Sequence, residues 1–240
     1  MARSSTGASP AADQRVHVGR RVFLGIVALG AIGVAVGAKV QSGLSGVVGS
    51  SGLGGLLPGG DHFRIYSITG TLPEISDDQY RLEVSGLVHR PTTFTLDDLR
   101  ALPRTTLVRD FHCVTGWVVP DVHWEGVRLS AVLDAVGVLP SARAVSFDSY
   151  DGLDTESLTL DQARLPDVIV ADKMLGGPVT TEHGGPVRLY VAPMFGYKSI
   201  KWLSAIRVVD QVEPGYWEQN GYPVNGWIDG STGPTDPGAD

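Results

Sequence analysis

The chain has one cysteine, Cys113, at the end of an apolar run, with Arg109 before it, His112 beside it and Thr115-Gly116 after it. A lone cysteine in a folded protein is usually a small buried hydrophobe. A polar, glycine-containing turn at a strand end is instead a place where functional groups collect. A thiolate there serves as a nucleophile or as a metal ligand. Hydrolysis by a Cys–His pair is one reading, but neighbouring strand residues point to opposite faces, so His112 is poorly placed as a base for Cys113. A single cysteine also excludes an internal disulfide and a Cys-rich zinc site.

A second group is basic. Gly184-Gly185-Pro186-Val187-Arg188 is followed ten residues on by Lys198-Ser199-Ile200-Lys201-Trp202. An arginine fork, two lysine charges and a serine hydroxyl suit a phosphate. The spacing fits a solvated basic edge equally well. The formal net charge is −7, and residues 1–40 hold five cations against the single acid Asp13, so the rest of the chain is more acidic than the whole. An acidic body argues against general nucleic-acid binding.

The elements that must position these groups are short. Tyr80–Val84 alternates apolar and polar residues as a half-buried strand does. Arg104–Phe111, Ala144–Phe147, Asp167–Ala171, Val187–Ala192 and Ala205–Val209 are further apolar strands. Thr95 to Asp98 and Thr159 to Gln162 are capping-box starts of short helices. Ser130–Val136 reads as a helix capped by Ser130 and closed by Gly137. Thirty-one glycines and 15 prolines favour a turn-rich fold. The fold class expected is α+β, mostly sheet, with short helices.

Residues 22–38 are 17 positions without a charge, directly after Arg20-Arg21. The run Arg20-Arg21-Val22-Phe23-Leu24 is similar to a twin-arginine export signal, with Gly19 and Gly25 departing from the usual pattern. A membrane anchor over residues 22–38 is the other reading. Either places the folded part outside the cytoplasm. A buried core helix is the third, and the glycine density weighs against it. Residues 1–40 are therefore expected to be signal or anchor, 41–60 a Gly/Ser-rich linker, 61–230 the folded domain and 231–240 a disordered tail.

Ordered motifs run through that domain: Phe63-Arg64-Ile65-Tyr66, Leu82 to Val88, Phe111-His112-Cys113-Val114-Thr115-Gly116-Trp117, Trp124-Glu125-Gly126-Val127, Ser149-Tyr150-Asp151-Gly152, Glu182 to Arg188, Gly196 to Leu203 and Gly215-Tyr216-Trp217. In this order and spacing they resemble the molybdopterin-binding domain of the sulfite oxidase family. The resemblance implies a sulfite-oxidase-type fold. It implies a molybdenum held by one pyranopterin dithiolene, by oxo or hydroxo oxygens and by Cys113, a soft thiolate that suits such a metal. It places His183, Arg188, Ser199 and Lys201 on the pterin and its phosphate, with Ser149, Arg64 and Ile65 lining the cofactor more loosely. Arg64 and Arg109 are the nearest candidates for catalytic contacts, and His112 and Tyr150 weaker ones.

Sulfite oxidases proper carry arginines shortly after the ligand cysteine, where this chain has Trp117 and Val118. That resembles the bacterial branch containing the periplasmic methionine-sulfoxide reductase catalytic subunit, although an Asn stands there in place of His183. The expected function is oxygen-atom transfer, as reduction of a neutral S- or N-oxide rather than oxidation of sulfite. A sulfite-type oxidase and an exported non-catalytic domain that lost the metal are the alternatives. The expected partners are a small-molecule substrate and a membrane electron carrier, acting on a monomer. No second, immunoglobulin-like domain and no cytochrome domain is expected.

Overall fold

Thr95 accepts from the Asp98 amide while the Asp98 carboxylate accepts from the Thr95 amide, and this reciprocal cap starts helix α1 (Leu96–Ala101). We describe the protein from a computed structural model, which covers residues 63–224 and 226–230. The expected signal or anchor, the linker and the tail lie outside the described residues. Among those described, no helix is long and apolar enough to cross a membrane.

The strands are β1 (Leu82–Gly86), β2 (Thr92–Phe94), β3 (Arg104–His112), β4 (Val118–Arg128), β5 (Ala144–Ser149), β6 (Thr155–Thr159), β7 (Val168–Met174), β8 (Gly177–Pro178), β9 (Arg188–Val191) and β10 (Leu203–Val209). The other helices are α2 (Leu129–Val136), α3 (Leu160–Ala163) and α4 (Tyr216–Gln219). One sheet runs β2-β1-β10-β5-β6, and the other runs β3-β4-β7-β8 with β9 also on β7. Only the β1–β10 pair is parallel among these. The α+β, mostly-sheet class expected from the sequence is what the chain adopts. The helix cap differs in one place: α2 begins at Leu129, so Ser130 lies inside it, and Arg128 at the N-cap makes no side-chain cap.

A large apolar core unites both sheets with α1 and α2, drawing in Leu82, Leu133, Phe147, Val170 and Leu189. A second cluster sits on the β3-β4-β7 sheet and includes Phe111, Trp117, Trp124 and Tyr190, with Phe63 and Cys113 packed against it. The aromatic cluster therefore carries the cysteine.

Strand β4 is irregular where it carries Pro120 and Asp121, the latter at φ +51°. The β3–β4 register shifts between Arg109 and Phe111, and the Asp121 amide donates to the Asp110 carboxylate at 3.0 Å. Strand β7 pairs only with the Trp124–Arg128 half of β4, so Pro120 removes no ladder bond to β7. A Cβ on Gly126 would lie 2.2 Å from the Val170 carbonyl oxygen, so only glycine lets β4 and β7 approach there.

Candidate active site

Cys113 begins the turn between β3 and β4. Its amide donates to the Trp117 carbonyl and its carbonyl accepts from Gly116, both at 2.9 Å. Gly116 takes φ +94°, which glycine adopts without steric cost. The turn holds the half-buried thiol on the wall of a cavity of about 270 Å³. The thiol lies 3.2 Å from the Thr115 hydroxyl. Among the described residues no imidazole hydrogen-bonds to it, and His112 is absent from the cavity wall. His112 is therefore not placed as a base for Cys113.

Arg188, the first residue of β9, lies on the same wall and is only 3% exposed. Its guanidinium donates to the carbonyls of His183 (2.7 Å), Ser199 (3.0 Å) and Leu189 (3.3 Å). Its carbon lies 5.4 Å from the Trp124 ring and 5.8 Å from the Phe111 ring. No carboxylate forms an ion pair with it among the described residues. Burial brings its pKa down to about 10.

Lys201 shares the cavity. Its ammonium donates to the Tyr66 carbonyl and lies 4.2 Å from the Trp202 ring. Burial, then the Arg188 charge, lowers its pKa to about 8. Gly184 sits against the Lys201 stem, where a Cβ would come within 2.5 Å of Lys201 Cβ. His183 ends the short 3-10 turn Thr181–His183, and its ring meets Phe63 edge-on at 4.8 Å. Burial and then Arg188 push its pKa below the usual histidine value, which favours the neutral ring. The Ser199 hydroxyl accepts from the Val191 amide at 2.9 Å, tying the loop to β9.

The structure thus brings Arg64, Ile65, Cys113, His183, Arg188, Ser199 and Lys201 to one cavity. Other residues named from the sequence stand elsewhere. Arg109 is half exposed, and two of its nitrogens grip Asp167 at 2.9 and 3.0 Å. It does not line the cavity, so its assignment to catalysis is corrected. Ser149 stands behind the wall, where its hydroxyl accepts from the amide of Asp151, a wall residue. Tyr150 hydrogen-bonds the Arg81 main chain.

Lys198, counted with the basic group, turns away from the cavity. It is buried between Glu156 and Glu218, 2.7 Å from Glu218 Oε1, and also donates to the Ser157 carbonyl at 3.1 Å. Sequence reasoning missed Asp154, Trp217 and Tyr222, all on the cavity wall. The Gly215-Tyr216-Trp217 motif was the available signal for Trp217.

Residues 69–217 match the family described as the oxidoreductase molybdopterin binding domain. The chain belongs to that family. It is 36% identical, over 66% of its length and 80% of the other protein, to the uncharacterized oxidoreductase YuiH of Bacillus subtilis. It is 33% identical over 70% of its length to the putative protein-methionine-sulfoxide reductase subunit YedZ1 of Azospira oryzae, of which it spans 63%. Arabidopsis thaliana sulfite oxidase is 29% identical over 71% of this chain and 48% of the plant protein. The sulfane dehydrogenase SoxCD of Paracoccus pantotrophus superposes with a TM-score of 0.55 at 27% identity, over 59% of this chain and 41% of that one.

The chain is accordingly a molybdopterin-dependent oxidoreductase with a sulfite-oxidase-type fold. Its cavity fits the family's cofactor in kind. A thiol suits the metal, and a buried guanidinium that forms no ion pair among the described residues suits a phosphate.

Proposed function

We propose that the enzyme transfers an oxygen atom by reducing a neutral S- or N-oxide. When bound, the molybdenum cofactor supplies two-electron oxygen-atom transfer, while the protein binds, orients and tunes it. We assign Cys113 to the metal and Arg188, Lys201, Ser199 and His183 to the pterin and its phosphate. Arg64 and Ile65 line the same cavity, and Ser149 acts through Asp151.

The observation that carries the substrate class is the wall beside the thiol. Phe63 packs on Phe111 at 5.1 Å and on Trp117 at 6.2 Å, and Trp117 stacks on Phe111 at 5.7 Å. Trp217 and Tyr222 extend this aromatic lining. Desolvating an anion such as sulfite requires paired cations. Arg109 is held by Asp167 outside the cavity, and Trp117 and Val118 bring none. A neutral oxide needs hydrogen bonds and an apolar wall. One observation favours sulfite, namely Arg64 on the cavity wall.

We assign the reducing equivalents to a separate membrane electron carrier. Among the described residues no group of three or more His, Cys, Asp or Glu side chains is arranged to hold a metal. The Arg20-Arg21 run supports placement outside the cytoplasm. Turnover of a panel of sulfoxides, N-oxides and sulfite, with artificial electron donors and acceptors, tests the reading. Sulfoxide or N-oxide reduction with weak sulfite oxidation is expected. Efficient sulfite oxidation without oxide reduction overturns it.

A further inference from the structure

Asp154 is a carboxyl that the catalytic account does not use. It follows the turn Asp151-Gly152-Leu153, whose Asp151 carboxylate accepts from the Leu153 and Asp154 amides at 2.9 and 2.8 Å. The turn fixes Asp154 on the cavity wall, 8% exposed. Its Oδ1 is buried with no hydrogen-bond partner. A buried acceptor left unpaired is costly and calls for a ligand or a proton.

The charges around it come from four elements. Asp151 on its own turn and Glu218 on α4 oppose its ionisation, while Lys201 and Arg188 at the head of β9 favour it. His183 faces the same two cations. Burial outweighs the rest and raises the Asp154 pKa to about 7. Asp154 is therefore a carboxylate counter-charge that acts on both cations, whose own hydrogen bonds go to neutral carbonyls.

We propose that Asp154 is the proton-accepting member of the anion seat: its carboxylate balances Arg188 and Lys201, and it takes up one proton from solvent as the cofactor's phosphate settles against them. The neutral acid then donates its O–H where a carboxylate would repel the phosphate. This deepens the cofactor placement proposed above and rests on it. Cofactor retention is then undiminished below about pH 7 and falls as pH rises, by at most about tenfold per pH unit for one coupled proton. Lys201 loses its charge in the more alkaline part of that range, in the same direction. Replacing Asp154 removes only the earlier part.

The test is molybdenum content by mass spectrometry and pterin content by fluorescence of its oxidised form. Holoenzyme is held at about pH 6 and about pH 8 and then desalted. Wild type is expected to retain about threefold less at the higher pH. Asp154→Asn is expected to lose clearly less than wild type between the two, keeping only the part that Lys201 contributes, and so is Asp154→Thr, which carries no charge and stands in should the Asn variant fold poorly. A wild-type profile in these variants overturns the proposal. So does loss of cofactor at both pH values in a variant that melts like wild type, since that would make the carboxylate itself the holding group. Arg188→Ala isolates the underlying placement: it should lose cofactor at both pH values, and full retention would overturn the seat whatever Asp154 does.

Discussion

Lys198 Nζ lies 2.7 Å from Glu218 Oε1, with both side chains almost wholly buried. The contact joins the loop that carries Ser199 and Lys201 to α4, which carries Trp217. Gly215, at the N-cap of α4, permits the approach, because a Cβ there would lie 2.3 Å from the Thr155 carbonyl oxygen. Removing one partner of a buried pair leaves an uncompensated charge, at a cost of roughly 3–5 kcal/mol. Lys198→Ala should therefore unfold at lower denaturant concentration by about that free energy. A midpoint within about 0.5 kcal/mol of wild type would contradict the ion-pair role.

The same cluster makes stability depend on pH. Lys198 faces two carboxylates, and burial raises the Glu156 pKa despite that cation, with Glu218 adding to the rise. A carboxyl with a raised folded pKa contributes stability that is complete below its unfolded pKa of 4.5 and is lost as pH climbs through the folded value of about 8. Apoprotein should melt at progressively lower temperature across that window. Glu156→Gln should flatten the slope. An equal slope in both proteins would mean that Glu156 does not titrate there.

Arg109 gives a contrasting expectation. Its pair with Asp167 is half exposed, and such pairs contribute about 0–1 kcal/mol. Arg109→Ala should leave kcat/KM for the oxide substrate within about twofold of wild type. A loss of about a hundredfold or more would return Arg109 to the catalytic group.

Cofactor content separates an anion seat from a basic edge. Arg188→Ala and Lys201→Ala should each lower the molybdopterin content of purified protein, since a charge-assisted contact contributes roughly 1.5–3 kcal/mol. Unchanged pterin occupancy in both variants would favour an edge without a ligand.

The sequence made some of this readable and hid the rest for identifiable reasons. Thr95/Asp98 and Thr159/Gln162 are caps that act locally, and both form as the spacing implies. The Cys113 turn was legible because Thr115-Gly116 interrupts an apolar run. Strand β4 is the longest described, yet it escaped recognition, because Pro120, Asp121 and Gly126 read as breakers. A bulge and a half-free edge accommodate the first two, and a close β4–β7 approach accommodates the third. Lys198 and Lys201 lie three residues apart, and spacing does not reveal which one faces the cavity. Arg109 shares the strand face of Leu107 and Phe111, but its long side chain reaches Asp167 instead. Asp154 reads as a solvated turn residue, because burial of a carboxyl depends on elements distant in sequence.

The central claim is that Cys113 holds the metal of a molybdopterin cofactor in the cavity shared with Arg188 and Lys201. X-ray absorption at the molybdenum edge tests it most directly, comparing wild type with Cys113→Ser made in a host that synthesises the cofactor. The near-isosteric swap should preserve the fold while replacing a soft thiolate by a hard oxygen donor. The account predicts one sulfur neighbour fewer at molybdenum and loss of turnover in the variant. An unchanged sulfur shell with full activity would contradict it.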